Sequence, residues 1–87
     1  MDNTLYANMN KNDIQIAVSA PQAEIVYSKW CSKTDAAAEI IIEMCPRYGV
    51  KQIFIQDDHF GTNLLNLLSQ KGMDDSMDIV KFNYREA

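Results

Sequence analysis

Ile53, Phe54 and Ile55 stand side by side in the stretch Val50-Lys51-Gln52-Ile53-Phe54-Ile55-Gln56. Successive side chains of a strand leave opposite faces, so an unbroken apolar run puts hydrophobic surface on both of them. Such a strand belongs in a sheet covered on both sides, the habit of parallel strands in α/β proteins. The flanking sequence agrees. Upstream, Ala37, Ile40, Ile41, Met44 and Cys45 recur at i, i+3, i+4, i+7 and i+8, one apolar stripe of a helix expected over residues 35–48. Pro46 and Gly49 supply its stop. Downstream, Gly61-Thr62 opens a second helix carrying Leu64, Leu65, Leu67 and Leu68, closed by Lys71 and Gly72.

The remaining strands read from alternation. Asp13-Ile14-Gln15-Ile16-Ala17-Val18 alternates polar and apolar, Ser19 to Gln22 breaks it, and residues 24–28 form a second strand on the β-propensity of Ile25, Val26 and Tyr27. Ile79 to Phe82 is the last strand, and residues 83–87 trail off. Residues 1–12 are polar and rich in asparagine, which favours turns, so they read as a flexible N-terminal tail anchored only by Leu5, Tyr6 and Met9. The expected order is strand, strand, helix, strand, helix, strand: one small α/β domain over residues 13–87, with helices packed on a sheet that has a parallel crossover.

Composition excludes several classes of function. The formal net charge is -4, the wrong sign for a nucleic-acid backbone or an anionic membrane, so nucleic acid is an unlikely partner and a membrane is not one. No apolar run approaches the ~20 residues of a membrane helix, and the N-terminus lacks a signal peptide's apolar core, which makes the cytoplasm the expected location. Cys31 and Cys45, if both lay on one helix, would stand roughly 21 Å apart, far beyond the reach of a disulfide. Gly61 stands alone and makes no phosphate loop, so no cofactor is expected.

Chemistry concentrates in Trp30-Cys31-Ser32-Lys33-Thr34, between the second strand and the first helix. Ser32 and Asp35 are spaced as a capping-box pair. A thiol at a helix N-terminus meets free amides and the positive end of the dipole, and Lys29 and Lys33 add charge, so Cys31 is the candidate nucleophile. Ser32 and Thr34 would donate hydrogen bonds and Lys33 would supply charge. Trp30 and Tyr27 flank the position as candidate binding residues. The same cysteine also fits the plainer role of a small, half-buried hydrophobe, and Cys45, on the apolar stripe, reads as core.

Over residues 23–82 the chain resembles the thioredoxin fold family. Ile25-Val26-Tyr27-Ser28 takes the place of the strand before the active site, Trp30-Cys31 matches the family's Trp-Cys dipeptide, and Asp57 matches the aspartate ending the next strand. The resemblance implies a thioredoxin-like sheet of mixed strands with helices against it, and a peptide-binding surface beside Trp30. It departs where the second active-site cysteine falls on Thr34, where the cis-proline falls near Met77, and in the missing closing hairpin and helix. The implied protein is redox-inactive or a monothiol, since a dithiol cycle has no resolving partner.

Two other readings stand beside it. One is a non-catalytic acidic interaction module, an inhibitor or adaptor of the kind phages and mobile elements encode. It would bind a protein partner, with the acidic loop at Asp74 and Asp75 meeting a basic surface, and an open edge strand could pair with a second copy. The other starts from Asp57-Asp58-His59, a strand ending in acid before Gly61 and a leucine-rich helix. That run resembles the nuclease domain of phage packaging terminases, an RNase H-like fold. Such nucleases need several carboxylates converging on two metal ions, and Ile14 to Val18 ends without one. A solvated turn accounts for the loop as well, and no metal set is assigned.

Overall fold

The structure, a computed structural model, describes residues 2–82. Five strands form one mixed sheet in the order β3-β2-β1-β4-β5. β1 (Asn3–Asn10), β2 (Asp13–Ser19) and β3 (Ile25–Cys31) make an antiparallel meander. β4 (Val50–Gln56) then joins the far side of β1 in parallel, and β5 (Asp78–Phe82) joins β4 in parallel. Helix α1 (Thr34–Arg47) links β3 to β4, and α2 (His59–Gln70) links β4 to β5. The α/β class, the mixed sheet and the two helices packed on it are as expected.

Residues 3–10 are not a tail. They form the central strand, bonded to β2 on one side and β4 on the other. Leu5 and Ala7 are fully buried on the helix face. Burying a leucine side chain contributes about 1.5–3 kcal/mol, which outweighs the turn preference of the asparagines. Those asparagines find other uses: Asn3 Nδ2 donates to the Tyr48 carbonyl at 2.7 Å, beyond the end of α1. The hairpin to β2 turns through Lys11, whose φ of 60° is left-handed.

Both helices lie on the same face of the sheet. Ala37, Ala38, Ile41 and Cys45 of α1, with Phe60, Leu64 and Leu68 of α2, share one core with Leu5, Ile14, Ile16, Val18, Ile53 and Ile55. Phe54, between Ile53 and Ile55, points the other way, and no helix covers it among the described residues. Among the described residues, the expected helical cover on both faces of β4 is thus present on one.

Helix boundaries depart from expectation at the N-termini. β3 runs on through Trp30 and Cys31, and the N-cap of α1 is Lys33, with no side-chain cap bond. The Ser32–Asp35 capping box does not form, because Ser32 precedes the cap. α2 starts two residues earlier than Gly61, with Asp58 as its cap. Pro46 is accommodated in the last turn of α1, and Gly49 ends it with φ at 62°. Residues 83–87, expected to trail off, lie outside the described residues. Among the described residues no helix is long and apolar enough to cross a membrane.

Candidate functional site

Strands β1, β3, β4 and β5 all point the same way, so their C-terminal ends share one edge of the sheet. Cys31, Asn10, Gln56-Asp57-Asp58 and Phe82 lie along it. Asp74 and Asp75, in the loop before β5, lie at the opposite edge and do not join Cys31 in one site.

The Trp30–Thr34 segment sets its thiol at the end of a strand rather than within α1. Cys31 ends β3, paired with Ile14, and its Sγ donates to the Lys33 carbonyl at 3.9 Å. Burial pushes the Cys31 thiol up, outweighing the opposing pulls of the Lys33 backbone and the Lys29 ammonium. The expected place at a helix N-terminus is taken by the end of a strand, two residues before the Lys33 cap. Ser32 and Lys33 are exposed, and Thr34 begins α1. Trp30 and Tyr27 do not flank it together, because an odd offset along a strand places them on opposite faces. Tyr27 sits on the helix face against Tyr48, ring centroids 5.6 Å apart, and burial raises its hydroxyl's pKa. Trp30 leaves from the other face. Cys45 is buried as expected, and burial raises its thiol to about 11. Both cysteines are free.

The Asp57-Asp58-His59 loop is structural on one side and solvated on the other. Asp58 Oδ1 accepts from the Gly61 amide at 3.1 Å, capping α2, and its Oδ2 accepts from Gln56 Nε2 at 2.8 Å. Gln56 Oε1 in turn accepts from the Met9 amide at 2.9 Å, tying the end of β1 to the end of β4. A Cβ on Gly61 would run into the Gln56 carbonyl. Asp57 and His59 are exposed, and the Asp57 amide donates to the Phe82 carbonyl at 2.7 Å. Among the described residues no three His, Cys, Asp or Glu side chains converge as a metal set would. At the other edge, Asp74 Oδ1 accepts from the Ser76 amide at 2.9 Å, and that bond holds its carboxyl below the usual range. Asp75 is exposed beside it.

The larger unassigned feature is the sheet face opposite the helices. Cross-strand pairing sets Ser28, Ala17, Tyr6, Phe54 and Val80 in one row across all five strands. Tyr6 and Phe54 stack at its centre, ring centroids 5.2 Å apart and planes 28° from parallel. On the C-terminal side Trp30 pairs with Gln15 and Phe82 with Gln56. Trp30 is 50% exposed and Tyr6 39%. Ile25 and Val26 are also exposed, at the β3 bulge opposite Ser19. Within the row, Tyr6 is exposed, Phe54 and Val80 are half-buried and Ala17 is buried. The signal for this face was in the sequence, in Phe54 between two isoleucines and in the period-two spacing of Thr4, Tyr6 and Asn8.

No family model matches the chain, and no curated protein matches it. Solved structures do. One is T. thermophilus RuvC in complex with a Holliday junction substrate, with a TM-score of 0.70 and 7% identity, covering 97% of this chain and 66% of that one. Another is a Bacteroides thetaiotaomicron protein with an actin-like ATPase fold and unknown function, with a TM-score of 0.60 and 11% identity, covering 93% of this chain and 32% of that one. At these identities the likeness is one of fold. The chain spans just under two thirds of the RuvC chain and about one third of the other.

Proposed function

We propose that this chain is a non-catalytic interaction module, a RuvC-like sheet that holds a protein partner on the face its own helices leave open. The observation that carries the reading is the Tyr6–Phe54 stack at the centre of a sheet face that no helix covers among the described residues, continued by Trp30 and Val80. Burying aromatic side chains of this size is what makes an interface hold. The polar edge of the sheet supports the same reading from the negative side. The ends of β1 and β4 present Asn8, Asn10, Gln56 and Asp57, and both oxygens of Asp58 are already committed to the fold.

The likeness to RuvC, whose structure holds a Holliday junction, sustains a second reading, an RNase H-like nuclease fragment with Asp57 as a metal ligand. Two-metal phosphodiester cleavage needs several carboxylates around the reacting phosphate, and β1 carries none. An assay separates the two. The purified chain is incubated with a Holliday junction or linear duplex and magnesium or manganese ions. The interaction module leaves the DNA intact, and the Phe54→Asp variant loses the complex it forms with its cellular partner while Cys31→Ser and Asp57→Ala keep it. Cleavage that disappears in Asp57→Ala overturns the reading in favour of the nuclease.

A further inference from the structure

We propose that the occupant of the open face is a cationic amphipathic helix belonging to a separate polypeptide. This rests on the interaction-module reading and adds the chemistry of the partner. Alternation along the strands assigns the side chains of this face: Thr4, Tyr6 and Asn8 on β1, Asp13, Gln15, Ala17 and Ser19 on β2, Ser28 and Trp30 on β3, Gln52, Phe54 and Gln56 on β4, and Asp78, Val80 and Phe82 on β5. No lysine or arginine is among them. Lys29 and Lys81 fall on the opposite parity, towards the helices. The two charges among these strand residues are both acids, and they stand at opposite edges. Asp13 follows the β1–β2 turn at the C-terminal edge, and Asp78 opens β5 at the N-terminal edge, where Gln52 Nε2 donates to its Oδ2 at 2.9 Å.

An apolar centre with acids at both ends matches an apolar stripe flanked by lysine or arginine. The backbone groups of the inner strands are spent in the sheet, so the face offers side chains only, and helices are what cover such faces in α/β proteins. A second copy of the chain would bring Asp13 and Asp78 against another set of acids, and the net charge of -4 opposes that approach. Aromatic sheet faces also stack nucleic-acid bases, but the described strand residues of this one present no cation to the phosphates that accompany them.

Trp30 is the single tryptophan of the chain and lies on this face, so its fluorescence reports occupancy. The intact protein is titrated with a leucine–lysine model helix, a leucine–glutamate helix of equal length, and oligothymidylate. The lysine helix shifts Trp30 emission to the blue, saturably, and binds about fivefold or more tightly than the glutamate helix, as two partly exposed ion pairs would require. Reversing the acids in Asp13→Lys/Asp78→Lys inverts that order, whereas Asp74→Lys/Asp75→Lys, equal in charge change, leaves it. Val80→Ser weakens both helices, and Phe54→Ser does the same provided its circular dichroism is unchanged. Equal binding of the two helices, indifference to the Asp13/Asp78 reversal, or a Trp30 shift with oligothymidylate overturns the proposal. So does a shift that grows with protein concentration alone, which identifies a second copy as the occupant. A cellular partner captured on this face but lacking a basic helix defeats the proposal and leaves the interaction module standing, whereas metal-dependent cleavage lost in Asp57→Ala defeats the module itself.

Discussion

Gly61 is where a single atom decides the most. It is buried in the first turn of α2, and a Cβ there would meet the backbone carbonyl of Gln56, which cannot swing aside as a side-chain tip could. The Gly61 amide also donates to Asp58, whose other oxygen holds Gln56, whose own oxygen holds Met9. One methyl group therefore strains the join between β1, β4 and α2. Gly61→Ala is expected to destabilise the protein by about 2 kcal/mol or more, as overpacking at an unyielding contact does, measured by urea unfolding. A change within about 0.5 kcal/mol would mean that the α2 entrance gives way freely. None of this was legible from the sequence, where Asp57-Asp58-His59 looks like a ligand-rich turn. A cap is recognised by the helix start it serves. The leucines that mark α2 begin at Leu64, which hides the first turn. Cys31 shows the same limit, because its surroundings depend on whether the strand or the helix claims it, and three further residues of strand were enough to take it from the helix.

β1 was the largest element hidden in the sequence. Asn3, Asn8 and Asn10 carry the composition of a turn, while Leu5, Ala7 and the intervening Thr4 and Tyr6 carry the alternation of a strand. In an isolated peptide the asparagines would prevail. Between β2 and β4, every residue of the strand has a ladder to join, and tertiary pairing overrides a preference worth only ~1 kcal/mol across the scale. The other strands and both helices were legible because their apolar periodicity was longer and uninterrupted, as in Ala37 to Cys45 and Val50 to Gln56. The role given to β1 makes a sharp prediction. Leu5→Ala is expected to cost about 2–5 kcal/mol, a large share of the stability of so small a domain. Thermal or urea denaturation reads it directly. A tail residue would cost nothing measurable.

Across the whole molecule, the sheet divides polar from apolar in an unusual way. Its helix face is a closed core, and its other face keeps aromatic rings in the open row that β4's double-sided sequence anticipates. The sequence showed that β4 needs cover on both sides. It could not show that α1 and α2 would take the same side, since that depends on which neighbours β1 brings together. The likeness to RuvC and to an actin-like ATPase fold follows from the order of strands and helices and carries no chemistry with it. On that order the described strands of this chain set Tyr6, Phe54 and Trp30, with no lysine or arginine, on the face opposite the helices. The most direct measurement is site-specific photo-cross-linking in lysate of the source cell, with a photoreactive side chain placed at Tyr6 on the open face or at Glu43 on the outside of α1. The account predicts one discrete protein adduct from position 6, abolished by Phe54→Asp, and none from position 43. Adducts from position 43 alone, or from both positions equally, would contradict it.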